Sequence, residues 1–269
     1  MPSCFPYHST RLYETDPTWE RPTQFVNDIT SGGFQMRAYM ENYGVSKEDI
    51  AKVAVANHNN AAKNPLALEE AQKANLSVND VLESDIYADP VTELMVAPLG
   101  DCIAALLLAP EQQALKITNK PVWITGVGWN QETYYLGDRD LSQSKSMELA
   151  TKMAYNTADI GDPKNEIDLA EIHTQYAHEE LILSEALGLA DNGKGNLLTD
   201  KNCINPSGGA FGGNSPCATG LIRVIEAVKQ LRGEAGEYQV IDAKKAVATG
   251  QIGMCAQSNI VWVLEKGGA

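Results

Sequence analysis

Long apolar runs are missing from this chain. No stretch approaches the ~18 consecutive apolar residues of a membrane-spanning helix. The longest candidate, around Cys102 to Ala109, has the length of a strand. Met1 to Thr10 lacks a basic segment followed by an apolar one, so no signal peptide is read there. Basic residues are scarce: 21 Lys and Arg stand against 35 Asp and Glu, for a net charge of −14. Nucleic acid and anionic membranes are held by clustered Lys and Arg, so neither is an expected partner. Five cysteines, an odd number without a repeat spacing, argue against a disulfide framework. They fit a reducing compartment, where each reads first as a small buried hydrophobe, and a cytoplasmic protein is expected. What is present suffices for a core: 269 residues, 43% hydrophobic and 21% charged, exclude disorder and correspond to one large domain or two small ones.

Residues 1 to 22 hold four prolines and little periodicity, which reads as an extended loop. Residues 23 to 44 read as helical with an interruption at Gly32-Gly33, a buried face from Phe34, Tyr39 and Met40, and Gly44 as the C-cap. Ser46 opens a second helix through a capping-box-like Ser-Lys-Glu-Asp, and Ile50, Val53, Ala54 and Asn57 follow at helical spacing until Asn64-Pro65. A short helix is expected from Val78 to Ser84. ELMVAPLGDCIAALLLAP and KPVWITGVGWN both read as buried strands, with a short helix at Pro110 to Leu115 between them. Then come an amphipathic helix at 146 to 157, a buried strand in IDLAEIHTQYA, a helix in EELILSEALGL, and a strong amphipathic helix in LIRVIEAVKQLRG. Two strands around a Gly- and Ser-containing turn close the chain. Alternating strands and helices predict a layered α/β fold.

Three segments carry candidate chemistry. NPSGGAFGGNSPCATG, from Asn205 to Gly220, has two Gly-Gly pairs before a helix. Glycines allow close backbone approach, and the helix N-terminus offers unpaired N–H groups suited to an oxyanion or a thioester carbonyl. The same glycines also suit a structural turn. The segment is neither a Walker loop nor a dinucleotide fingerprint. IHTQYAHEE places His173 at the end of a buried strand, where imidazole serves acid–base work or is a satisfied core residue. His178 reads as a solvent-facing residue at a helix start, and the spacing of His173, His178 and the following glutamates does not match a helical zinc motif, so no metal is expected. GQIGMCAQS places Cys255 in a glycine turn, as an acid–base thiol or a buried hydrophobe. Cys217, just before a helix, is open to the same two readings.

These blocks, in this order, resemble the thiolase superfamily, most closely the sterol-carrier-protein-type and archaeal-type thiolases. INPSGGAFGG…ATGLIRVIEAVKQLRGEAG resembles the family's Asn-Pro-Ser-Gly-Gly block, Gly-His-Pro motif and following helix. IHTQYAHEELILSEALGL resembles its His-Asp-x-Phe block, and VAVANHNNAAKNPLA a helix of its loop domain. The resemblance implies a five-layer αβαβα fold. Residues 1–92 would form the loop domain, 93–140 the last strands of the N-terminal half, and 141–269 a complete C-terminal half. It implies an acyl-CoA C-acyltransferase acting on a 3-oxoacyl-CoA by thiolytic cleavage or Claisen condensation. Coenzyme A is then a substrate and no cofactor is covalently bound. The alternatives are a thiolase-like retro-aldol lyase on a CoA thioester and a non-catalytic structural subunit.

The resemblance also assigns residues. His173 matches the histidine of His-Asp-x-Phe, with a role in polarising the thioester or moving the α-proton. Ser207, Gly208 and Gly209 match the block that lines the substrate pocket, and Gly253 falls at a second oxyanion-hole amide. Tyr176 is an acid or base in the retro-aldol variant. Asn214 stands where Gly-His-Pro has its histidine; an amide donates a hydrogen bond but takes no proton. Cys255 lies near the Cys-x-Gly turn without the glycine two residues on. The first-half nucleophile has no match, and Cys4 is not in its motif. Either another chain in a homo- or hetero-oligomer supplies the N-terminal half, or the sequence is a truncated product or gene fragment that lacks that segment; a small zinc-ribbon OB-fold protein is a further possible partner by the same resemblance. The chain alone is expected to expose sheet edges and an apolar face.

Overall fold

The computed structural model describes residues 27–201 and 203–267. The loop expected over residues 1–22, and Cys4 within it, lie outside the described residues. The first helix, α1 (Asp28–Tyr43), is capped by Asn27 and ends at Gly44 in the left-handed conformation. It runs unbroken through Gly32-Gly33, contrary to expectation. The reason is packing: a Cβ on Gly32 would lie 2.9 Å from the Tyr176 ring, and one on Gly33 3.0 Å from the Ala88 carbonyl. Met36 and Tyr39 face the core, whereas Phe34 is exposed. Helix α2 (Lys47–Ala61) starts on the Ser46 capping box and buries Ile50, Val53, Ala54 and Asn57. The short helices α3 (Glu69–Gln72) and α4 (Val78–Glu83) follow, the latter on a second capping box at Ser77. A small hairpin joins β1 (Ile86–Ala88) to β2 (Val91–Thr92). With α1 and α2 these elements enclose a core of Met36, Tyr39, Ile50, Val81, Met95 and Phe211.

The run at 102–109, read as a buried strand, is irregular, and Ile103, Leu107 and Leu108 face outward. Helix α5 (Glu111–Ile117) is where it was expected. Strand β3 (Val122–Gln131), expected among the closing strands of a first half, pairs antiparallel with β6 far along the chain and so lies in the C-terminal sheet. After α6 (Lys145–Ala158), α7 (Pro163–Glu166), β4 (Leu169–Glu171), α8 (Ala177–Ala186) and α9 (Thr219–Arg232) come β5 (Lys245–Ile252) and β6 (Ser258–Lys266). The sheet order is β3-β6-β5-β4, antiparallel except for the parallel pair β4/β5.

Alternation along these strands sends side chains to two helix layers. Val247, Val261 and Val263 meet Met147, Ala150 and Leu183 of α6 and α8 on one face. Ala246, Ala248 and Leu264 meet Val224, Ala227 and Leu231 of α9 on the other. Gly126 and Gly128 let β3 lie directly against α6, because a Cβ on either would strike the carbonyls of Ala154 and Ala150. Where α9 begins, Gly220 and Gly250 bring helix and strand together in the same way. No helix of the described residues is long and apolar enough to cross a membrane.

Candidate active site

Strand β4 runs parallel to β5, and its carboxyl end is where an α/β sheet presents chemistry. His173 sits two residues beyond that end, 3% exposed. Its backbone N–H donates to Thr249 Oγ1 at 3.0 Å, and the Gln251 N–H donates to its Nδ1 at 3.2 Å. A ring nitrogen that accepts from a backbone amide carries no hydrogen, so the proton of the neutral ring is on Nε2. A cavity of about 400 Å³ is lined by His173, Trp129, Cys217, Gly220 and Gln251. The start of α9 forms one wall, and Cys217 is exposed.

Asn214 stands at the other side of the same helix start. Its backbone is fixed by bonds to the 98–100 segment: its N–H donates to Pro98 O at 2.7 Å and its carbonyl accepts from Gly100 N at 2.9 Å. Thr219 Oγ1 donates to its Oδ1 at 2.9 Å, which leaves the amide nitrogen as the side chain's donor. Asn214 lines a second cavity of about 410 Å³ with Tyr176, Gln175, Asp28 and His58. Tyr176 OH donates to Asp28 Oδ2 at 3.1 Å. His58 shares a hydrogen bond with Leu94 O at 3.2 Å through Nε2, and burial lowers its pKa. Asp28 and His58 were not singled out from the sequence. They are single polar residues on helices, with no local signal to mark them.

The remaining candidates lie elsewhere. Ser207, Gly208 and Gly209 line neither cavity. Ser207 is inside a buried ion pair, its Oγ donating to Glu171 Oε2 at 2.7 Å and accepting from Arg223 Nη1 at 2.8 Å. Arg223 also meets Glu171 at 2.6 Å, with side chains 3% and 0% exposed. Gly208, at φ +91°, lets the chain press on the end of α2, where a Cβ would fall 2.5 Å from Ala61. Asn205, itself left-handed, donates to Glu180 Oε2 at 2.6 Å and accepts from Ile172 N at 2.7 Å. The glycine-rich block thus ties α9 and α2 to the end of β4.

Cys255 is buried at φ +53°, its thiol donating to Ser31 O at 3.3 Å. Burial pushes that thiol up to about 12, which keeps it protonated at neutral pH. Gly253, at φ +86°, begins the same turn, which Arg139 holds by donating to the carbonyls of Met254 and Cys255 at 2.8 and 2.6 Å. His178, expected to face solvent, is fully buried against Gln35, and desolvation lowers its pKa to about 3.

Glu179 and Glu180 are also buried, and desolvation raises both carboxyls from 4.5 to about 7. Between about pH 4.5 and 7 the folded chain therefore holds protons that the unfolded chain has released, so these groups make stability fall as pH rises through that window. Glu180→Gln keeps an oxygen for Asn57 and Asn205 and removes the buried charge. It should raise stability near pH 8 by on the order of 2 kcal/mol and leave it little changed near pH 5. Thermal melts at the two pH values check this; an equal shift at both would contradict it.

Comparison with known proteins follows the same lines. Residues 128–266 match the Thiolase C-terminal domain-like family, and the chain belongs to it. It is 32% identical over 240 residues to the acetyl-CoA acetyltransferase of Methanothermobacter thermautotrophicus, covering 86% of this chain and 61% of that protein. It is 28% identical to the benzoylsuccinyl-CoA thiolase subunit BbsB of Thauera aromatica, covering 82% and 59%. Human sterol carrier protein 2 is 31% identical, over 80% of this chain and 41% of that one. Among solved structures, the Ltp2–ChsH2 aldolase superposes with a TM-score of 0.79 at 21% identity, covering 93% and 66%. The chain thus spans about three fifths of the length of the acetyltransferase and the thiolase subunit. The fold is the α/β fold of thiolase-like proteins.

Proposed function

We propose that this chain works on 3-oxoacyl-CoA thioesters, forming or breaking the C2–C3 bond by acyl transfer in the manner of a thiolase. The observation that carries this reading is the pair of donors flanking the start of α9: His173 with its hydrogen on Nε2, and the Asn214 amide. Breaking C2–C3 leaves the electron pair on C2, delocalised onto the thioester oxygen as an enolate. Fixed N–H donors in a water-poor site stabilise that oxygen more than they stabilise the ground-state carbonyl. The electron pair is then quenched by a proton delivered to C2.

Acyl transfer also needs a thiolate. The Cys255 thiol is buried and held protonated, which makes it a poor nucleophile. We assign the nucleophilic thiol to a segment outside the described residues, carried either by a partner chain in a homo- or hetero-oligomer or by an N-terminal segment of the same protein. The naming of one relative as a thiolase subunit and of one structural neighbour as a two-component aldolase accords with such an assembly. Exposing the purified material to acetoacetyl-CoA and reading intact masses tests this. Acyl adducts are expected on the partner or N-terminal segment that supplies the thiol and on none of the 269 residues of this sequence. An adduct on any of its cysteines, Cys217 included, would overturn the assignment.

One observation favours a second reading, retro-aldol cleavage of a 3-hydroxyacyl-CoA. Asn214 takes no proton, whereas the Tyr176–Asp28 pair can exchange one with a substrate hydroxyl. That reaction breaks the same bond without a thiol, so cleavage that persists after complete thiol alkylation would select it over acyl transfer.

A further inference from the structure

Glu179 is a fully buried carboxylate that the chemistry above does not use. Its Oε2 accepts from Gln175 N at 2.6 Å, from Tyr176 N at 3.4 Å and from Gln251 Nε2 at 2.7 Å. The first two belong to the segment whose side chains line the 410 Å³ cavity, and Gln251 lines the other cavity beside His173. The Gln251 side chain also donates to the His173 carbonyl at 3.2 Å, and its backbone N–H reaches His173 Nδ1. One carboxylate oxygen therefore fastens both sides of the site.

Capping α8 alone does not account for this residue. As the N3 residue of the capping box, Glu179 need only reach the Tyr176 N–H, which a solvated glutamate does. Here the carboxyl is taken fully out of water, and among the described residues its Oε1 has no hydrogen-bond partner, which is expensive. Asp28 from α1 and Cys255 from the following turn face it, and the Asp28 charge opposes its ionisation further.

We propose that Glu179 is a positioning residue: through Gln251 and the backbone of residues 175–176 it locks the His173 ring with its hydrogen on Nε2 and holds the two cavities in fixed register. The catalytic consequence rests on the reading of His173 as a donor to the thioester oxygen, but the positioning itself is observable without turnover.

The test uses imidazole nitrogen NMR on the full chain, with His173 assigned through His173→Asn. The wild type should show His173 almost wholly as the Nε2–H form. Glu179→Ala, which removes the anchor, and Gln251→Met, which cuts the tether with Glu179 intact, should each shift the tautomer ratio about 2- to 10-fold, the equivalent of one net hydrogen bond. Glu179→Gln retains an acceptor oxygen and should return most of the wild-type signature. His173 signals in Gln251→Met that superimpose on those of the wild type would overturn the proposal, even if Glu179→Ala fails to fold. Turnover of a 3-oxoacyl-CoA is measured separately, in the assembly that includes the segment carrying the nucleophilic thiol. An assembly that does not turn it over, with the expected tautomer shifts present in the chain, would remove the acyl-CoA reading and leave the positioning role standing.

Discussion

Glu171→Ala should lower the unfolding free energy by about 3–5 kcal/mol, the range expected when one partner of a buried ion pair is removed. Glu171 ends β4 with no exposed surface. Burial pushes its carboxyl up, and the Arg223 guanidinium opposes that rise and favours the charged form. The Ser207 hydroxyl and N–H complete its coordination at 2.7 and 3.1 Å. With the carboxylate gone, Arg223 would keep a charge in the interior, with its Nε already lacking a partner. Because a domain is stable by only about 5–15 kcal/mol, a loss of this size removes a large part of the total.

The cost belongs to the stranded charge and not to the pair as such. Glu171→Met combined with Arg223→Leu should therefore recover most of the loss. Ser207→Ala, which removes one neutral partner, should cost about 1–2 kcal/mol. Urea midpoints for the three variants decide the matter. A double variant as unstable as Glu171→Ala alone would show that shape, and not charge, holds this junction.

Where order is local, the sequence announced it. The Ser46 capping box, the Gly44 cap and the apolar stripe on α9 are each set by residues within a turn or two of one another. What depends on distant partners was not legible. The apolar run at 102–109 carries a strand's composition, but among the described residues no strand pairs with it. β3 reads as a strand, yet its sheet is decided by β6, more than a hundred residues later.

The candidate site divides in the same way. The placement of His173 just beyond a buried strand was legible because that pattern is local. For Ser207 to Gly209 the letters leave two roles open, because a glycine that admits a ligand and one that admits a helix look alike; here Ala61 fills the space beside Gly208. The surroundings that bury Cys255 and His178, namely α1 above the turn and Gln35 beside the ring, are not marked in the residues around either one.

His173→Ala should reduce kcat/KM for a 3-oxoacyl-CoA by about 10²–10³-fold in the assembly that turns it over, the usual loss when one oxyanion donor is removed. The substrate carbonyl and the enolate share the same oxygen but not the same charge, so the loss should appear mainly in kcat, with KM changing little. Asn214→Ala should cost a similar factor. If both donors serve one oxygen, the two together should cost less than the product, whereas full additivity would put them on separate oxygens. Asn214→His separates donation from proton transfer. A histidine there can still donate, so under the acyl-transfer reading it should retain much of the activity. Under the retro-aldol reading it adds a base beside the Tyr176–Asp28 pair and should change the pH profile. The bonds that hold the His173 backbone, from Thr249 and Gln251, survive in His173→Ala; the Gln251 N–H to Nδ1 bond is lost, at a cost of about 1–3 kcal/mol, so the variant should still assemble. If turnover is unchanged in a variant that assembles, His173 has no part in the chemistry, and the donor pair that supports the acyl-CoA reading is lost with it.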